Sequence, residues 1–396
     1  MPATAAPPRR SRAVAGPDFP DRVRRLLTLA ATSKPAVEHL LITNPSDVAY
    51  LTGFLGGDSY LLVSAPGAGG SEKASRPIII SDFRYQEELE PLKPFCRVHI
   101  RSGAMTEAVG AVLAERRIKE LGLQAEHMTL AGRKMLAQAA RSVRLVETVG
   151  LVSSLRAVKD ASEVAHLRAA IRIQEAALKA TLPAITRALA RNAGRGSISE
   201  AEIAAVLESE MKTRGSSKPS FETIVAARAK GSLPHYRPGS VTLTRNQPLL
   251  VDWGAIHAGY HGDMTRVFCW GRWPARLRDA YTIVLEAHDL AAQALRAGAL
   301  TTDVDAAARD HIKAAGLGDY FGHGVGHGIG LDIHEDPRVS HMARATPLVA
   351  GNVVTIEPGV YLPGVGGIRL ENDYLVTEKG SENLCTLPLS LDWATR

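Results

Sequence analysis

Between residues 323 and 371 the chain places histidines and glutamates inside segments that otherwise read as buried strands, so its fold must bury charge around something that compensates it. Glu357 ends the apolar run Val353-Val354-Thr355-Ile356 and is followed by Pro358-Gly359. In Gly367-Ile368-Arg369-Leu370-Glu371, period-two alternation sends Arg369 and Glu371 to one face and Ile368 and Leu370 to the other. A carboxylate buried in a strand is costly unless it is paired or holds a metal. Arg369 offers Glu371 an ion pair as the competing explanation.

Three histidines precede these acids: His323, His327 and His334. The glycines alternating through His323-Gly-Val-Gly-His327-Gly-Ile-Gly disfavour a helix. In extended chain His323 and His327 share a face, and the glycines let backbone approach closely. A phosphate loop does not fit, because no strand-loop-helix context surrounds the glycines and no Lys-Ser/Thr follows. Nor is the helical zinc motif present, since His334-Glu335 runs into Asp336-Pro337-Arg338.

About sixty residues upstream, Asp252 ends Leu249-Leu250-Val251 and Asp263 opens Met264-Thr265-Arg266-Val267-Phe268. Gly254, Gly259 and Gly262 lie between them and predict a reversing connection that sets the two carboxylates at facing positions of adjacent strands. Several oxygen ligands with at least one imidazole make the inventory of a hard site for two divalent metal ions. A hydrolase is the expected chemistry.

With 396 residues, 45% hydrophobic and 22% charged, the chain is long enough for two globular domains. The net charge of +6 is spread along the sequence rather than clustered, which argues against a nucleic-acid partner. Cys96, Cys269 and Cys385 are far apart and odd in number, so a reducing compartment, the cytoplasm, is expected. No run of eighteen apolar residues predicts a membrane span. Residues 1–20 combine Arg9, Arg10 and Arg12 with five prolines and are expected to be a disordered tail.

The remainder of the first half, 21–155, alternates strands with helices and reads as α/β: a helix over 22–31, strands over 37–43, 60–63, 77–80 and 98–100, helices over 105–117 and 130–140. Asn44-Pro45-Ser46-Asp47 is read as a turn. A long helix is predicted from Asp160, with Val164, Leu167, Ile171, Leu178 and Leu182 on one stripe, ending near Pro183. A second is predicted to open with Ser197 and Glu200 in capping-box register. Strands then return over 249–255, 260–270, 353–357 and 367–376, with helices over 275–297 and 303–315, so 156–396 forms the second domain.

The series Asp252, Asp263, His327, Glu357, Glu371 resembles the ligand set of the pita-bread metallopeptidases, the superfamily of methionine aminopeptidase, Xaa-Pro aminopeptidase and Xaa-Pro dipeptidase (prolidase). The segments VDWGAIHAGYHGDMTRVF, FGHGVGHGIGLDIHEDPR, TIEPGVY and GIRLEND match its signatures in order and spacing. NPSDVAYLTGF and IIISDFRY are similar to the creatinase-type amino-terminal domain of the proline-specific members. The resemblance therefore implies an α/β (α+β) chain, a creatinase-like amino-terminal α/β domain followed by a pita-bread catalytic domain.

It further implies a dinuclear-metal peptidase that cleaves between an amino-terminal residue and a following proline. Asp252 and Glu357 would each serve mainly one metal, Asp263 and Glu371 would bridge, and His327 would bind through a ring nitrogen. Glu357 would also move the proton, His334 would contact the scissile carbonyl, and His235 would approach the substrate amide. His323, Arg338 and Arg369 would line the substrate site, with Arg338 reading a product-side carboxylate. Mn²⁺ is the expected ion, with Co²⁺, Fe²⁺ or Zn²⁺ as alternatives, and proline-containing peptides or dipeptides the expected partners of a homodimer. A methionine aminopeptidase shares the five ligands but does not account for residues 22–155. A metal-independent creatinase-like hydrolase, or a binding module on the same fold, would not need all five.

Overall fold

The computed structural model describes residues 16–67 and 76–396. Most of the expected tail, and most of the loop expected between the strands near 64 and 77, lie outside these residues. Phe19 and Pro20, included in the tail, already belong to a helix, Phe19–Thr32, which Asp18 caps.

The first half is built on six strands in the order Arg97–Ile100, Ile78–Ser81, Tyr60–Ser64, His39–Ile42, Glu120–Gln124, Arg144–Thr148. Three of the five pairings are parallel, which is why these strands are apolar on both faces. Leu40, Ile42, Leu61, Val63 and Ile79 join one core, while Leu41, Leu62, Ile78 and Ile80 join the opposite one. Helices Met105–Glu115 and Leu130–Ala139 cover the latter face through Val109, Val112, Leu113 and Leu136. Asn44 to Asp47 is not an isolated turn: the Asn44 side chain accepts from the Ser46 N–H and caps helix Pro45–Thr52.

In the second half, strands Ile224–Ala227, Pro248–Trp253 and Met264–Cys269 form an antiparallel sheet. Five more strands pair in the order Glu335–Val339, Gly326–Gly328, Val353–Ile356, Asn372–Val376, Ser381–Asn383. A hairpin of Gly359–Leu362 with Gly366–Arg369 is inserted in sequence between two strands of the second sheet, Val353–Ile356 and Asn372–Val376. Leu249, Val251 and Trp253 bury with residues of helices Ala161–Gly194 and Glu200–Thr213. Leu250, Val267, Val354 and Ile356 bury against helices Ala275–Ala294 and Thr301–Ala314. Sheets clasped between two helix pairs are the result.

Two helix boundaries differ from expectation. The long helix runs through Pro183 because buried Ile185, Ala188 and Leu189 continue the apolar stripe of Leu178 and Leu182. The capping box of the next helix is Ser199 with Glu202, two residues later than read, since it is these side chains that exchange bonds with the first-turn backbone.

Candidate metal centre

Two strands change sheets at the same level, and each does so at a glutamate. Val353–Ile356 pairs with Asn372–Val376, and directly beyond them Gly359–Leu362 pairs with Gly366–Arg369. Glu357-Pro358 and Leu370-Glu371 are the crossing points, so 367–376 is two strands where the sequence predicted one. Arg266, fully buried, holds this break: Nη1 donates to the Glu371 carbonyl at 2.6 Å and Nη2 to Asn372 Oδ1 at 2.7 Å. The Glu357 N–H donates to the Val325 carbonyl at 2.7 Å and ties the other crossing to the histidine segment.

Asp252 and Asp263 are not at facing positions, as had been expected. Asp252 pairs with Thr265 and Trp253 with Met264, so Asp263 lies just before the strand. Period two nevertheless puts Asp263 and Thr265 on one face, and pairing puts Asp252 there too. The connection carries a second tight reversal, where Ala258 and Gly259 have φ of 50° and 85°. Gly326, next to His327, admits no side chain: a Cβ there would lie 1.9 Å from the Thr355 carbonyl oxygen.

The five expected ligands come together. Donor atoms of Asp263, His327 and Glu371 lie within 4.8 Å of one another, and all three residues are buried. His327 Nε2 is 3.5 Å from Glu357 Oε1 and 3.7 Å from Asp263 Oδ2. Its Nδ1 faces the Gly328 carbonyl at 3.0 Å, which fixes the proton on Nδ1 and leaves the Nε2 lone pair for a cation. Thr265 Oγ1 donates to Glu371 Oε2 at 2.6 Å, and the Asp263 N–H donates to Asp373 Oδ2 at 3.2 Å.

Charge in this cluster is poorly balanced by protein alone. Burial, reinforced by the neighbouring carboxylates, pushes Asp263 and Glu371 well above the usual carboxylate range. Burial also raises Glu357 to about 8, against the pull of Arg369. His327 is pushed down to about 3 by burial and by His334, so it is a neutral donor at pH 7. Asp252 Oδ1 is buried without a hydrogen-bond partner. Buried acids forced toward their protonated forms, a lone-pair nitrogen aimed among them and an orphaned oxygen fit divalent cations.

Arg369 binds Asp252 in place of the Glu371 offered by the sequence. Among the described residues it makes no ion pair with Glu371, and its guanidinium bonds groups of the site itself. Nη2 donates to Asp252 Oδ2 at 2.5 Å, Nη1 to the Tyr361 hydroxyl at 2.8 Å and Nε to Thr265 Oγ1 at 3.0 Å. Tyr361 lies 2.8 Å from His323 Nε2, and His323 Nδ1 faces the Gly324 carbonyl at 2.7 Å, so the tyrosine hydroxyl donates to Nε2. Burial first, then Arg369, lowers His323 to about 4. Thr265, Tyr361 and Asp373 were not singled out from sequence. Each lies inside a signature segment, two residues from a ligand in two of the cases, where strand periodicity points to the same face.

His334 stacks edge-on against His327 with ring centroids 4.3 Å apart, and is exposed on its other side. His235 and Arg338 are exposed and close enough for their charges to oppose protonation of His334. Among the described residues Arg338 makes no ion pair, with Asp336 or any other acid.

The sequence profile of Metallopeptidase family M24 matches residues 165–378, and that of the Creatinase/Prolidase N-terminal domain matches residues 22–158. The chain belongs to metallopeptidase family M24. Its fold is thus a creatinase-type amino-terminal α/β domain followed by a pita-bread catalytic domain. Membership of the family implies divalent metal ions, which the buried Asp263, His327 and Glu371 group fits. An uncharacterized peptidase of Bacillus subtilis, YqhT, is 32% identical over 90% of this chain and 95% of its own length. A solved Xaa-Pro dipeptidase from Bacillus anthracis superposes with a TM-score of 0.86 at 32% identity, over 94% of this chain and 99% of that one. An X-Pro aminopeptidase from Thermotoga maritima gives 0.80 at 31% identity, over 93% and 99%. Among the described residues no helix is long and apolar enough to cross a membrane, and Cys96, Cys269 and Cys385 are buried and unpaired.

Proposed function

We propose that the chain is an Xaa-Pro peptidase, a dinuclear-metal enzyme that hydrolyses the bond between an amino-terminal residue and a following proline. The observation that carries this reading is the convergence of Asp252, Asp263, His327, Glu357 and Glu371, in a chain alike along nearly its whole length to Xaa-Pro peptidases. These five residues would hold two divalent ions, which supply Lewis acidity and a water of lowered pKa when bound. Four carboxylates and one imidazole suit Mn²⁺. We divide the protein near residue 155 and place it in the cytoplasm as a homodimer.

With the cations bound Glu357 would be ionised, and it would take a proton from the attacking water and return it to the leaving nitrogen. That return matters because the nitrogen departs readily only as a protonated amine. Burial keeps His334 neutral at pH 7, so one ring N–H is available to the carbonyl oxygen as negative charge develops on it. His235 approaches the substrate amide from the exposed side, and His323 is locked by Tyr361 as part of the wall. Arg338, which makes no ion pair among the described residues, is the cation for a product-side carboxylate.

Hydrolysis of Xaa-Pro dipeptides and Xaa-Pro-Xaa tripeptides with added Mn²⁺ tests this directly. Proline-dependent turnover abolished by EDTA is expected. Turnover that ignores EDTA, or none on any proline peptide, refutes it.

A further inference from the structure

We propose that Arg156 is a positioning residue for His334, clamping the chain on both sides of that histidine to the amino-terminal half; the inference rests on the catalytic reading of His334 above. Among the described residues, nothing hydrogen-bonds the His334 ring, which only stacks on His327. Its placement is therefore set by the backbone of residues 332–335. That backbone is held by the two carboxylates flanking the histidine, and both converge on one buried guanidinium.

Arg156 ends helix Leu151–Arg156, and its side chain is 6% exposed. Nη2 donates to Asp332 Oδ2 at 2.7 Å and also to Glu335 Oε1. Nη1 donates to Asp47 Oδ1 at 2.6 Å, an acid of the amino-terminal half that Gln124 also engages. Lys159 Nζ reaches Glu335 Oε2 at 3.0 Å, and Ser46 Oγ donates to Asp332 Oδ1 at 2.6 Å. The Asp332 N–H closes the loop on Glu335 Oε1 at 3.0 Å. Although burial opposes it, Lys159 and Arg156 hold Glu335 down to about 2, so Glu335 is ionised at neutral pH.

The planar fork explains why arginine stands here: it spans three carboxylates at fixed angles, which a lysine ammonium cannot do. Glu335 also pairs across the sheet with Gly328, the neighbour of His327. A shift of the clamp would therefore move His334 relative to its stacking partner. It also gives the amino-terminal domain a part in the chemistry, through Ser46, Asp47 and Gln124.

Asp332→Asn and Arg156→Lys, each alone and combined with His334→Ala, test the proposal. Asp332 has a half-exposed side chain, so its amide variant spares the fold. With His334 present, kcat on an Xaa-Pro dipeptide should fall roughly tenfold or more, with KM and bound Mn²⁺ nearly unchanged. In the His334→Ala background neither substitution should lower kcat further. Equal falls in both backgrounds, or unchanged kcat in the first, overturn the proposal. The ¹⁵N imidazole spectrum, with His334 assigned through His334→Ala, reads the same question without turnover. The His334 signal should shift in both variants, and an unmoved signal also overturns the proposal. Were the unsubstituted protein inert on all proline peptides, the functional reading would fall, while the spectrum would still decide the clamp.

Discussion

Loading the site with Mn²⁺ at pH 7 should release protons, and their number follows from which ligands carry one beforehand. Burial sets Glu357 at about 8 in the metal-free protein. A group titrating one unit above the working pH is about nine-tenths protonated. Asp263 and Glu371 are shifted in the same direction by burial and by the acids around them. His327, at about 3, contributes none. Because ligands must be deprotonated to bind a cation, saturation should release between about one and about three protons per chain. Titration calorimetry in buffers of different ionisation enthalpy gives that number as a slope. At pH 8.5 the share from Glu357 should drop to about a quarter of a proton. The same groups set a stability trend. Their folded values lie above the unfolded ones, so the stability they contribute is complete below about pH 4.5 and declines as pH rises, the share of Glu357 being lost through about 8. The metal-free protein should therefore weaken over that window by on the order of a few kcal/mol, and the Tm gap to the Mn²⁺ form should widen. Heats of binding independent of buffer, with a Tm gap constant from pH 5 to 8, would refute the reasoning.

Two substitutions probe single roles. His334→Ala should retain Mn²⁺ yet lose about a hundredfold or more in kcat, the scale of one oxyanion donor; an undiminished rate dismisses that role. Arg338→Ala should raise KM for Xaa-Pro dipeptides more than for longer peptides, whose carboxylate lies elsewhere. Equal effects on both would leave Arg338 without a recognition role.

Three of the candidate ligands were legible in the sequence because they break a local rule. Glu357 and Glu371 put charge at the ends of apolar strands, and Asp252 does so after Leu249-Leu250-Val251. Less legible was anything that depends on how strands meet. Period two predicts that Arg369 and Glu371 share a face, but it cannot show that Asp252, more than a hundred residues away, offers Arg369 the closer carboxylate. The split of 367–376 into two strands was hidden because apolar alternation continues through Leu370, and the break is made by Arg266 and the crossing at Glu357. Pro183 is a strong local stop signal, and packing of Ile185 and Leu189 overrides it. The clamp at Arg156 had no sequence signal, since its partners Asp47, Asp332 and Glu335 are scattered over both halves.

Anomalous diffraction from crystals soaked in Mn²⁺, collected for the unsubstituted protein and for Glu371→Ala, bears most directly on the central claim. Two peaks about 3.5–4 Å apart are expected, enclosed by Asp252, Asp263, His327, Glu357 and Glu371, with at least one lost in the variant. A single peak elsewhere, or two that survive removal of Glu371 unchanged, would contradict it.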